Sequence, residues 1–260
     1  MNLAILIGTF IGGLIMGLPV AVTLGVSSFC YLVAADIPLV VMPQKMYAGM
    51  DVFVLLCIPG FILAGNLMNN GGITERIIRF ANALVGWVRG GLGLTNVAAS
   101  MLFGGISGTA VADSASIGGV MIPGMKKAGY PASFAAAVTA ASSTVGPIIP
   151  PSVPMIIVGA LSGISVGQMF LAGAVPGILL GIAMLITTYL IASRNNFPRQ
   201  RWQGIREVTK SFFGAFWALI MSFLIIVGMI SGLMTPTETA VIACIYATRV
   251  GVCFYGGLSM

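Results

Sequence analysis

Histidine is absent from all 260 residues, charged side chains make up only 7% of them, and the four cysteines show no ligand-like spacing. The first absence removes histidine-dependent triads and the usual zinc-hydrolase ligand sets. The second removes a water-soluble domain, because a chain that is 58% hydrophobic with a mean hydropathy of +1.06 cannot cover its surface with polar groups. Cys30, Cys57, Cys244 and Cys253 lie scattered in apolar segments without a CxxC pattern and read as small packing residues. Period-two alternation is also missing, which excludes a closed β-barrel. What remains is an all-α, polytopic membrane protein whose helices satisfy their own backbone in lipid.

The net charge of +6 comes from cations beside or between apolar runs, where the positive-inside rule places them on the cytoplasmic face. Nucleic acid is not an expected partner. The clearest cytoplasmic marker is "SRNNFPRQRWQGIREVTK", with Arg194, Arg199, Arg201, Arg206 and Lys210 against Glu207. Flanking it, Gln168 to Ala192 and the run "SFFGAFWALIMSFLIIVGMISGL" are each long enough to cross. "TPTETA" begins a further helix, with Thr235 or Thr237 as cap and Glu238 at its positive end. The apolar run from Leu3 to Ala35 is too long for a signal peptide and reads either as one helix kinked at Gly17 and Pro19 or as two shorter passes. Gly8, Gly12, Gly13 and Gly17 at small-xxx-small spacing suggest close helix packing there. "MPQKMYAGMD" reads as an interfacial connection before a crossing at Phe53 to Met68, and the 16 dispersed methionines read as lipid-facing or packing residues.

Two segments break these patterns. Between Arg89 and Lys126 lie too few residues for two comfortable spans and a turn, both flanks are basic, and the middle, "FGGISGTAVADSAS", is small and polar. A re-entrant hairpin follows: a helix from about Leu92 to Phe103, a turn through Gly104 to Asp113, and a short helix returning to Pro123. The second segment, "SSTVGPIIPPSVP", interrupts a crossing from Tyr130 to Leu161 with Pro147, Pro150, Pro151 and Pro154. Prolines remove donors and free carbonyls around Ser143, Thr144 and the residues up to Pro151. Irregular backbone at membrane depth persists only where it is buried in protein or lines a polar cavity. Those carbonyls, with the oxygens of Ser107, Thr109, Asp113 and Ser114, form a ligand set suited to a hard monovalent cation. The alternatives are a merely kinked helix for the prolines and a surface carboxylate for Asp113. Ser107 with Asp113 is the sole nucleophile–base pairing, and without histidine or a suitable lysine it does not make an enzyme.

"FGGISGTAVADSASIGGVMIPGMKKAGY", "AAAVTAASSTVGPIIPPSVPMIIVG" and "GLMTPTETA", in this order, together with "PGFILAGNLMNNGGITERI", resemble the large membrane subunit of tripartite ATP-independent periplasmic (TRAP) transporters. The resemblance implies an elevator-type, sodium-coupled importer of organic acids such as C4-dicarboxylates, sialic acids or sugar acids, working by alternating access in the bacterial inner membrane. It implies two protein partners, a small membrane subunit and a periplasmic substrate-binding protein, with membrane lipid around them. No cofactor is implied beyond Na+ as coupling ion. By the same resemblance a sodium site falls on Ser107, Thr109, Gly146, Ile149 and Pro151, mostly through carbonyls; Asp113, Ser114, Ser143 and Thr144 are expected to line the substrate cavity. The expected organisation is residues 1–90 as N-terminal membrane helices (scaffold and start of the transport domain), 91–193 as hairpin and broken helix, 194–210 as cytoplasmic basic loop, and 211–260 as connecting transmembrane helices. No second copy of the hairpin or of "GPIIPPS" follows Lys210, so the second repeat is expected to be absent. A non-transporting fragment or one piece of a split subunit is the alternative reading.

Overall fold

The computed structural model describes residues 2–256, and all regular structure among them is helical. The last residues of the expected 211–260 segment, 257–260, lie outside the described residues. Contacts divide the chain into two compact units, 1–52 and 53–260.

In the first unit α1 (Asn2–Ile15) and α2 (Val20–Ala34) form a helical hairpin, followed by α3 (Val41–Met50). The long N-terminal run is therefore two helices, not one kinked helix. Gly17, at φ 77°, takes the left-handed turn and Pro19 stands immediately before α2. Each helix is about 21–23 Å long, short of the roughly 30 Å hydrocarbon core. The glycine spacing is not a continuous packing stripe: a Cβ on Gly13 would meet Thr23, but one on Gly8, Gly12 or Gly17 would meet nothing within 4 Å.

The second unit contains α4 (Cys57–Asn70), α5 (Ile73–Val85), α6 (Gly91–Ser107), α7 (Ala110–Lys127), α8 (Ala132–Ser143), α9 (Val153–Ser162), α10 (Val166–Arg194), α11 (Ile205–Ile230) and α12 (Pro236–Arg249). Four stretches, Phe53–Asn70, Val166–Arg194, Ile205–Ile230 and Pro236–Phe254, are long and apolar enough to cross a membrane. Phe103, Phe170, Met68, Ile117, Ile156 and Ile225 are fully buried at its centre. Small residues bring α4 against α12, where a Cβ on Gly60 would lie 2.9 Å from that of Ala240.

Four sequence expectations need adjustment. The hairpin turn is only Gly108 and Thr109, so Gly104 to Ser107 belong to α6 and Asp113 to the first turn of α7. The returning helix continues through Pro123 to Lys127. The basic segment is less loop than expected: α11 starts at Ile205, placing Arg206, Glu207 and Lys210 on its first turns, where Glu207 accepts from Arg79 Nε at 2.8 Å. Of the cysteines, Cys57 is buried but Cys253 is exposed, so packing does not explain the latter.

Thr235 is the cap of α12, as one of two candidates. Its hydroxyl accepts from Glu238 N at 3.3 Å, and the Glu238 carboxylate accepts from Thr235 N at 2.8 Å, a reciprocal capping box. Thr235→Ala is expected to lower stability by about 1 kcal/mol. Denaturant unfolding in detergent micelles would register this, and an unchanged midpoint would show that the box contributes nothing.

Candidate functional site: a hairpin tip against a broken helix

The hairpin is anchored at its base and presented at its tip. At the base, Gly90 N and Tyr130 Oη both donate to the carbonyl of Pro198, at 3.3 and 3.0 Å. Tyr130 and Phe134 also pack on Phe197, with ring centroids 5.0 and 4.8 Å away. One proline carbonyl thus ties the start of α6, the corner between α7 and α8, and the arginine-rich segment to one end of the unit. Arg89 and Lys126 flank that shared end.

At the tip, Gly108 (φ 61°) allows α6 to end within one residue, and the Thr109 hydroxyl accepts from Ala112 N at 3.3 Å to start α7. The tip meets the interruption between α8 and α9. Val153 N donates to Gly108 O at 3.3 Å. A Cβ on Gly104 would lie 2.7 Å from Gly146 Cα, one on Gly105 3.2 Å from Pro150 O, and one on Gly108 2.7 Å from Pro151 O. These glycines are therefore what lets backbone lie on backbone, and carbonyls of the proline segment face the hairpin. Pro150–Pro151 is a cis peptide. Ser152 restarts the chain as a helix: its hydroxyl donates to Pro147 O and accepts from Met155 N.

Of the five residues to which the resemblance gave the cation, four converge here. Ser107 and Pro151 line one gap between tip and broken helix. Ser107 Oγ lies 3.5 Å from Thr109 O, and a Cβ on Gly146 would be 3.7 Å from that same oxygen. The Ile149 side chain instead reaches toward α10, where it would meet a Cβ on Gly177 at 2.7 Å. The four residues expected around substrate divide. Asp113 and Ser143 are buried neighbours, whereas Ser114 and Thr144 are exposed, the Thr144 hydroxyl bonding back to Ala141 O at 2.7 Å.

Asp113 is 0% exposed, and among the described residues neither carboxylate oxygen has a hydrogen-bond partner. Ser100 and Ser143 stand beside it, but both are engaged elsewhere: Ser143 donates to Thr139 O at 2.8 Å and Ser100 shares a 3.1 Å bond with Ser142. The adjoining polar seam is complete without it, since Asn96 donates to Thr139 Oγ1 at 2.6 Å and Thr139 to Ala135 O at 2.8 Å. An isolated buried carboxylate costs several kcal/mol unless it is neutralised or meets a cation. Placement in the first turn of α7 supplies only the partial positive charge of a helix N-terminus.

The far side of the tip opens on a cavity of about 150 Å³ between hairpin and α4, lined by Asn66, Asn69, Ser107, Thr109 and Ser116 among others, with no charged side chain in its wall among the described residues. Sequence reasoning singled out neither asparagine. Their i, i+3 spacing, which places both on one face of a largely apolar helix, was the available signal. Among the described residues no group of three or more His, Cys, Asp or Glu side chains could hold a multiply charged metal.

Residues 7–260 match the family described as the tripartite ATP-independent periplasmic transporter, DctM component. The chain is 41% identical, over 98% of its length, to the 2,3-diketo-L-gulonate TRAP transporter large permease protein of Escherichia coli (strain K12), of which it covers 60%. It is 42% identical over 95% of its length to the C4-dicarboxylate TRAP transporter large permease protein of Vibrio cholerae (55% covered), and 41% identical over 96% to the sialic acid TRAP transporter large permease protein of the same species (59% covered). The chain thus spans less than two thirds of these relatives. With its apolar spanning helices, hairpin and broken helix, it belongs to the DctM-component family of TRAP transporters, the large membrane subunits of these systems.

Proposed function

We propose that this chain forms the hairpin-bearing part of a sodium-coupled, binding-protein-dependent importer of organic acids in the bacterial inner membrane. The observation that carries the reading is the buried, unpartnered carboxylate of Asp113 on a hairpin whose tip lies against proline-freed carbonyls. A monovalent cation held by carbonyl and hydroxyl oxygens of Ser107, Thr109, Gly146 and Pro151 would lie at the contact between two half-helices, where secondary transporters place coupling ions. Asp113 would supply the compensating negative charge. Ile149, whose side chain points toward α10, would contribute through its backbone carbonyl.

The substrate class rests on both chemistry and relatives. Asn66, Asn69 and Ser116 offer neutral hydrogen-bonding groups suited to a carboxylate and its hydroxyls. No cationic side chain lines that cavity, so a bound anion would draw its counter-charge from the cation at the tip, which couples the two. Relatives are named for C4-dicarboxylate, sialic acid and 2,3-diketo-L-gulonate. A small membrane subunit and a periplasmic binding protein would complete the assembly, alternating access would move the substrate, and no resident cofactor or covalent step is invoked. A second reading is a membrane chain of this family that does not itself transport.

Uptake of labelled C4-dicarboxylate, sialic acid and a sugar acid, measured with the binding protein and small subunit present, separates these. Uptake of one of them that rises with an inward sodium gradient is the expected result. Uptake indifferent to sodium would overturn the coupling, and no uptake of any of them would favour the second reading.

A further inference from the structure

The corner after α5 and the segment joining α10 to α11 build a second site at the opposite end of the hairpin from its tip. Trp87 and Trp202 stack there with ring centroids 5.6 Å apart and planes inclined by 20°, and both remain exposed, at 46% and 61%. Together with Arg199, Gln200 and Arg201 they line an open cleft of about 400 Å³. The cleft is held in shape. Gln200 accepts from Asn82 Nδ2 at 3.0 Å, Gln200 N donates to Gly86 O at 3.4 Å, and Trp87 Nε1 donates to Leu84 O at 2.9 Å.

The charge balance is one-sided. Among the described residues the only ion pair is that of Arg79 with Glu207, so Arg199 and Arg201 have no carboxylate partner, and no acidic side chain lines the cleft. The location fixes what such a site meets. It lies between the end of α10 and the start of α11, both long and apolar enough to span, hence where these helices leave the bilayer. Leu84 and Ile205 stay exposed on its flanks. Tryptophans at an interface bury their rings at headgroup level, while guanidinium groups bind phosphate oxygens in bidentate fashion. A soluble phosphate would use the arginines but not the indoles.

We infer that the cleft of Trp87, Arg199, Arg201 and Trp202 binds the headgroup of an anionic phospholipid. The lipid would stand against the base of the hairpin, since Pro198, one residue before Arg199, is the carbonyl that ties both hairpin ends together.

The full chain reconstituted in phosphatidylcholine vesicles tests this with a minor fraction of brominated lipid as quencher of tryptophan fluorescence. Each arginine near the surface favours an anionic lipid by about fivefold. With two arginines, brominated phosphatidylglycerol is therefore expected to quench with an apparent affinity roughly 25-fold above that of brominated phosphatidylcholine. In the double variant R199Q/R201Q the two lipids should come within about twofold of each other. Undiminished quenching by brominated phosphatidylcholine in that variant shows that it is still folded in the bilayer. Equal quenching by the two lipids in the unaltered chain would overturn the inference, as would a preference that survives the double substitution. A preference erased by millimolar inorganic phosphate would assign the cleft to a free anion and equally overturn it.

Discussion

Asp113→Asn is expected to abolish the stabilisation of the purified chain by sodium while leaving it no less stable than the unaltered protein when sodium is absent. A cation that binds only the folded state at a hundred times its dissociation constant adds about 2.7 kcal/mol. For a chain of this size that corresponds to a rise in unfolding temperature of roughly 5–10 °C. The carboxamide removes the charge that makes cation binding favourable, so the shift should fall below about 1 °C by that scale. The sodium-free comparison excludes a merely structural role. A buried carboxylate without a hydrogen-bond partner destabilises the fold, and replacing it with a neutral group of the same shape relieves that cost. Were Asp113 simply a packing or capping residue, the asparagine variant would lose stability in both conditions alike. Retention of the full sodium-dependent shift would remove Asp113 from the site.

Gly108→Ala should separate the tip from the broken helix without disturbing membrane insertion. Two costs coincide at this residue. A φ of 61° strains any side chain with a Cβ by about 1–2 kcal/mol, and the added carbon would sit 2.7 Å from Pro151 O, inside van der Waals contact. Relief requires the tip to withdraw from the very carbonyl it faces. Uptake by the assembled transporter is therefore expected to drop by at least about tenfold, the equivalent of about 1.4 kcal/mol, and the sodium-dependent stabilisation to shrink with it. Gly119→Ala is the matched control. Gly119 lies in the same α7, a Cβ there meets nothing within 4 Å, and the change should add up to about 1 kcal/mol of helix stability with uptake unchanged. Equal uptake in both variants would show that tip contact is dispensable.

The proline interruption, the basic flanks of the hairpin and the capping of α12 were all legible because each is a local rule written in adjacent residues. The tip was less so. Gly104 and Gly105 read as turn residues since glycine usually marks turns, yet both lie in α6, where the missing side chains admit Gly146 and the Pro150 carbonyl. Glycine for close approach and glycine for a turn look the same until the partner segment is known. The lone Gly108, which does make the turn, was not distinguishable from its neighbours. The N-terminal run left its number of passes open because Gly17 and Pro19 suit a kink as well as a turn, and packing of Gly13 on Thr23 decided for the turn. Depth and polarity suggested Asp113, but its lack of partners follows from Ser100 and Ser143 bonding elsewhere, which no local pattern encodes. Asn66 and Asn69 were passed over because "GNLMNN" resembles an ordinary polar helix end, whereas the cavity exists only once the hairpin tip stands beside α4.

Everything proposed for the site requires that the chain enter and leave the bilayer on one side between Arg89 and Lys126, so that the turn at Gly108 is delivered to the broken helix from a base tied to Pro198. The most direct measurement is labelling of R89C and K126C, one at a time, in a chain whose four native cysteines are serine, with a membrane-impermeant maleimide applied to oriented vesicles. Both positions should react from the cytoplasmic face alone. Reaction of the two from opposite faces would make α6 and α7 part of an odd number of crossings, and the pocket at the hairpin tip would not exist.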